Sequence, residues 1–156
     1  MIKQVSYLEK KLSRIFTNLP DTSNSNKLWL VKFLPWFALI VGALQVNKAF
    51  ELWGLLYNKN IKGNGLYLVT KYSAVQKLNL FIGIIILGVS AITLFMAYKT
   101  LKKRRQKGWD LLFMAAVLNI FYVLFVRQSV AFLLIASTVG FYVLFQVKAK
   151  YKKSSR

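Results

Sequence analysis

The sequence predicts an all-α integral membrane protein, an N-terminal amphipathic helix followed by four transmembrane helices. Three observations carry that expectation. Apolar residues make up 56% of the chain and gather into long uncharged runs, the cleanest from Leu78 to Tyr98. At ~1.5 Å of rise per residue, about 20 such residues carry a helix across a ~30 Å hydrocarbon core. The basic residues, in a chain of formal charge +19, crowd the ends of the runs.

Residues 1–20 form the first unit. Val5, Leu8, Leu12, Ile15 and Leu19 recur at steps of three and four, the apolar stripe of an amphipathic helix. Lys3, Lys10, Lys11 and Arg14 flank that stripe, which suits a helix lying on an anionic leaflet. Packing against another protein surface fits the same pattern. Pro20 and the polar run through Asn26 end the unit.

The transmembrane domain is expected over 28–147. Its first span covers 28–46, with Lys32 snorkelling from the first turns and Trp29 and Trp36 suited to an interfacial belt. A break is expected at Asn47-Lys48. The aromatic stretch Ala49–Tyr57 is too short to cross and reads as an interfacial or re-entrant piece. Asn64-Gly65 reads as the turn of a small hairpin. The second span covers 78–98, and the connector 99–107 then places six positive charges in nine residues. The third span, 109–127, offers only ~24 Å of helix between Asp110 and Arg127, so its charged ends must reach the headgroups. The fourth covers 129–147, and 148–156 is a basic tail.

Four crossings place both termini and the 99–107 connector on one side. That side collects 17 of the 23 lysines and arginines. The positive-inside rule then predicts the cytoplasmic (inner) membrane, with both termini cytoplasmic. Three crossings would split the basic clusters between the two sides.

Absences narrow the chemistry. The chain has no histidine and no cysteine, and its only acids are Glu9, Asp21, Glu51 and Asp110, all outside the apolar centres. General-base, thiolate and metal-ligating chemistry therefore lack their usual residues, and no catalytic residue, cofactor or metal is expected. The polar residues within the spans are Gln45, Ser90, Thr93, Asn119, Ser137 and Thr138, none ionisable, which argues against a proton relay. Nucleic acid is not an expected partner, because the positive charge sits where membrane topology already places it.

Two sets of candidate residues remain. Small and polar side chains recur at helical spacing: Ala38, Gly42 and Gln45; Gly83, Ser90, Thr93 and Ala97; Ala115, Asn119 and Tyr122; Ala136 and Gly140. Such spacing lets helix backbones approach and amides or hydroxyls bond across the gap. Lys102, Lys103, Arg104, Arg105 and Lys107 form the second set, a contact for anionic lipid or an acidic partner beyond their topological role. Phe121-Tyr122-Val123-Leu124-Phe125 recurs as Phe141-Tyr142-Val143-Leu144-Phe145. Aromatic anchoring at the two interfaces explains both copies without an inverted repeat.

Leu34-Pro35-Trp36 opens the first span, Lys107-Gly108-Trp109-Asp110-Leu111-Leu112-Phe113 opens the third, and Gly140-Phe141-Tyr142-Val143-Leu144-Phe145-Gln146-Val147 closes the fourth. With the preceding amphipathic helix, these segments resemble a loose group of uncharacterised small four-span membrane proteins from bacteria with reduced genomes. The resemblance implies architecture and location, and no activity. The function expected is non-enzymatic: a scaffold or accessory subunit working through helix packing and anionic-lipid contact. A small transporter or holin-like pore is the alternative. Membrane lipids are the expected partners, with a membrane protein or a second copy of the chain beside them.

Overall fold

Five helices follow one another among the described residues: α1 (Lys3–Phe16), α2 (Asn24–Tyr57), α3 (Ala74–Lys102), α4 (Gln106–Val126) and α5 (Val130–Lys148). The computed structural model describes residues 3–16, 20, 22–57, 73–126 and 130–151, with side chains at all of these except 3–6, 57, 126 and 130–136. Three segments are long and apolar enough to cross a membrane: Asn24–Leu56, Ala74–Lys102 and Gln106–Phe125. The fourth expected span falls on α5, part of which lies outside the described side chains. Leu19, the Asn64-Gly65 turn and the tail beyond Tyr151 lie outside the described residues.

The expected break at Asn47-Lys48 does not occur. α2 runs on for 34 residues, about 51 Å, past the depth of the hydrocarbon core. Glu51 supplies the reason. Its carboxylate accepts from Asn47 Nδ2 at 3.1 Å and from Lys48 Nζ at 2.8 Å, three- and four-residue spacings that brace a helix. Leu52 then packs into a buried cluster with Leu87 and Tyr122. Ala49–Tyr57 is thus a helical continuation and not a separate re-entrant piece.

α3 also begins earlier than its apolar run. Ser73 Oγ accepts from the Gln76 backbone at 3.3 Å while Gln76 Oε1 accepts from the Ser73 backbone at 2.9 Å. This capping box satisfies two orphan amide donors and starts the helix at Ala74.

Most of the expected 99–107 connector is helix as well. α3 ends after Lys102 and α4 begins at Gln106, which leaves a turn of three residues. The Arg104 amide donates to the Leu101 carbonyl at 2.8 Å and the Arg105 amide to the Thr100 carbonyl at 3.1 Å, the paired bonds of a Schellman ending. Arg104 takes the left-handed position usually given to glycine, at φ 50°. Gly108 closes the hairpin. A Cβ there would stand 2.6 Å from the Leu101 nitrogen and 2.8 Å from the Thr100 carbonyl carbon, so α4 crosses the end of α3 at backbone contact.

α3 lies between α2 and α4 and packs along both, whereas α5 rests more lightly on α4 and meets α2 sparingly. α1 lies against α5. Its apolar stripe is divided: Leu12 turns inward beside the buried Phe16, while Leu8 and Ile15 stay exposed.

Gly108→Ala is expected to destabilise the bundle by about 1–3 kcal/mol, because the clash is with backbone that cannot rotate away. Gly88→Ala, whose added methyl meets nothing within 4 Å, is expected to be neutral or slightly stabilising. Helicity followed through an SDS titration of both variants compares them directly.

Candidate functional site

One end of the bundle gathers the charge. Lys102, Lys103, Arg104, Arg105 and Lys107 are all exposed at the α3–α4 turn, and among the described residues no acid pairs with them. α1 and the C-terminal end of α5 come to the same place. Lys148 Nζ donates to Glu9 Oε1 at 2.6 Å and sits 5.0 Å from the centre of the Trp109 ring. The beginning of α2 joins them through polar contacts. Tyr142 Oη donates to the Pro20 carbonyl at 2.7 Å, Gln146 Nε2 donates to the same oxygen at 3.1 Å, and Lys150 Nζ reaches Asn24 Oδ1 at 3.3 Å.

Beneath that charged end lies an aromatic knot. Trp109 is fully buried and donates from Nε1 to the Leu144 carbonyl at 2.7 Å. Its ring stacks on Phe113 at 5.4 Å and meets the edge of Phe145 at 5.6 Å. Phe16 of α1 stacks on Phe145 from the other side at 5.6 Å. Such pairs contribute ~0.5–1.5 kcal/mol each beyond the area they bury.

This corrects the interfacial reading of the repeated pentapeptide. Phe141 and Phe145 are only 6% and 8% exposed and belong to the knot, while Phe121 and Phe125 are 48% and 40% exposed. The two copies occupy different environments. Phe16, Glu9 and Lys148 were not legible as partners, although the four-residue spacing of Phe141 and Phe145 marks an aromatic face.

Tyr151 packs into the same core, with its hydroxyl buried and unpartnered. Burial pushes its phenol up to about 12, against a smaller opposing pull from Arg104. Asp110 keeps one buried carboxylate oxygen without a hydrogen-bond partner.

The polar packing candidates converge further along the bundle. Gln45 Nε2 donates to Asn119 Oδ1 at 2.9 Å, and Asn119 Nδ2 donates to the Ala115 carbonyl at 2.8 Å and to Ser90 Oγ at 3.4 Å. One amide thus links α2, α3 and α4. Ala38, Gly42, Gly83, Thr93 and Ala97 are buried along the same helices. The Thr93 hydroxyl bonds back to the Val89 carbonyl at 2.8 Å and not across a gap. Gly140, expected at a helix contact, is instead exposed with open space where a Cβ would stand, and the side chain of Ala136 lies outside the described residues.

That open space belongs to an apolar groove of about 600 Å³ between α2, α4 and α5. Trp29, Phe33 and Phe37 form one wall, the first two rings stacked at 5.2 Å. No group of three or more metal-ligating side chains occurs among the described residues.

The fold defines a class, an all-helical membrane-type bundle with a strongly basic end. No protein-family model, curated protein or solved structure matches the chain.

Asn119→Leu is expected to cost about 0.5–2 kcal/mol in an SDS titration, since it strands the Gln45 amide. Adding Gln45→Leu to it should cost less than the two single changes together, the signature of a shared bond. Tyr151→Phe is expected to leave stability unchanged near neutral pH. The raised phenol favours the folded state below pH ~10, and this contribution is lost as pH rises from ~10 toward ~12. The variant should therefore lose less stability than the parent across that window.

Proposed function

We propose that this chain is a non-enzymatic multi-pass membrane protein, a scaffold or accessory subunit acting through helix packing and anionic-lipid contact. The observation that carries the reading is the convergence of α1, the α3–α4 turn, the start of α2 and the end of α5 at one basic end. Four antiparallel crossings produce that convergence directly, and three would not. In this reading α5 is the fourth span, α1 lies in the interface with Leu8 and Ile15 toward lipid, and the basic end faces the cytoplasm.

Lys102, Lys103, Arg104, Arg105 and Lys107 then form a preordered lipid contact. The Schellman turn holds the backbone that displays them, and each adds ~1 kcal/mol of attraction near an anionic leaflet. Packing of α2, α3 and α4 through Gln45, Ser90 and Asn119 keeps the bundle rigid enough to act as a platform.

The absence of cysteine makes orientation straightforward to test. Single cysteines at Ser13, Gln106 and Ser154 are expected to resist an impermeant thiol reagent in intact cells, and one at Asn60 to react. Labelling at Gln106 would overturn the topology. The role is tested separately, by mild cross-linking in the membrane and by flux from liposomes carrying the purified protein. A defined cross-linked partner without solute release is the expected result; release of ions or metabolites would replace the scaffold reading with a pore.

A further inference from the structure

The start of α4 carries charge of the wrong sign for a helix N-terminus. That end is the positive pole of the macrodipole, and its first amides have no intrahelical acceptors. α2 and α3 meet the need with serines. Ser23 Oγ accepts from the Asn26 amide at 3.4 Å, and Ser73 Oγ from the Gln76 amide at 3.3 Å. α4 instead follows Arg105, whose side chain has no acceptor, and its first turn holds no acid. The Gly108 amide donates to the Arg105 carbonyl at 3.0 Å, which leaves the Gln106 and Lys107 amides without an acceptor among the described residues. Arg104, Arg105 and Lys107 are exposed beside them in the chain. Cations and free amides at one helix start repel each other until an anion joins them.

A buried group from another element points to the same place. Tyr151 is only 5% exposed, and its hydroxyl is covered and lacks a hydrogen-bond partner. Arg104 is the charge that acts on that hydroxyl, so the phenol lies beside the α3–α4 turn. A hydroxyl left unpaired in a core is costly. The acids at this end do not serve it. Glu9 pairs with Lys148 at 2.6 Å, and Asp110, beyond the first turn of α4, lies in the field of those two groups.

Two amides, a guanidinium and a phenol are donors suited to one oxyanion. Depth selects its source. Gln106 begins the crossing-length apolar segment Gln106–Phe125, so it stands at the boundary where lipid phosphates lie. We propose that the start of α4 binds the phosphate of one anionic phospholipid, with the Gln106 and Lys107 amides, the Arg104 guanidinium and the Tyr151 hydroxyl as donors. The proposal rests on the anionic-lipid reading above and turns a diffuse attraction into a discrete site. Arg104 offers a planar fork that matches phosphate, which the point charge of a lysine does not.

The test uses the full chain, isotope-labelled and held in a mild non-ionic detergent. It is titrated with short-chain phosphatidylglycerol or phosphatidylcholine while NMR follows each amide. The Gln106 and Lys107 amides are expected to shift downfield and saturate, about tenfold more tightly with phosphatidylglycerol. Arg104→Lys and Tyr151→Phe both conserve the net charge. Each is expected to weaken phosphatidylglycerol binding about tenfold, with helicity and melting temperature near those of the parent. Diffuse attraction predicts no change from either variant. Parent-like affinity in both would therefore overturn the site, as would unmoved Gln106 and Lys107 amides.

Inorganic phosphate and a glutamate-rich peptide, each added without lipid, should leave the two amides in place. Saturation by phosphate would give the site to a soluble anion, and saturation by the peptide to an acidic protein. Either result overturns the lipid assignment. The cysteine labelling separates the readings: a shielded Gln106 position without a saturable shift sinks the site alone, and a labelled one sinks the topology on which both depend.

Discussion

The bundle depends on how its last helix is attached. In a bilayer, lipid tails are as apolar as leucine, so burial alone does not draw helices together and specific contacts must do so. α2, α3 and α4 satisfy this along their lengths. Among the described residues, α5 meets it at its C-terminal end, where Trp109 donates to the Leu144 carbonyl and packs with Phe113 and Phe145, and Phe141 meets Phe113. Phe16 extends the stack to α1, and Lys148 adds both an ion pair with Glu9 and its charge over Trp109. Removing the indole would take away the hydrogen bond and the ring contact that join α4 to α5.

That attachment lies at the basic end of the molecule. α5 is fastened beside the basic surface, and the groove between it, α2 and α4 is bordered by Phe141 and Leu144 of the knot. The other three helices, packed along their lengths, are also joined deeper by the amide of Asn119, which serves Gln45 and Ser90 together. The groove thus borders both the Asn119 linkage and the aromatic knot. The tight Gly108 crossing brings the start of α4, and with it Trp109, up against the end of α3.

Much of the helical content was legible in the sequence, and the reasons are local. The apolar run of α3 could only be a helix at bilayer depth, whereas its start at Ala74, ahead of that run, depends on the capping box of Ser73 and Gln76, which was not read from the sequence. The missed continuation of α2 is also local. Glu51 braces Asn47 and Lys48 three and four residues away, a spacing open to inspection but outweighed by the polar pair itself. The pairing of Glu9 with Lys148 spans 139 residues and leaves no local trace. Gln45, Ser90 and Asn119 were recognisable as polar side chains in apolar runs, yet their common meeting point depended on helix order and rotation. Gly140 shows the converse: a small residue at packing-like spacing faces open space.

The sequence by itself determined the all-helical class, the crossing-length apolar segments and the concentration of charge at their ends. Those properties follow from residue-by-residue transfer energies and the fixed rise of a helix, which need no knowledge of neighbours. Only the tertiary structure decided that α1 docks through Phe16, that the phenylalanines of one copy of the repeated aromatic pentapeptide are buried and those of the other exposed, and that α2, α4 and α5 border a groove. These depend on the rotation of each helix about its axis and on where the few strong contacts fall. The same apolar faces can meet lipid or one another at nearly equal free energy, so composition alone does not choose between them.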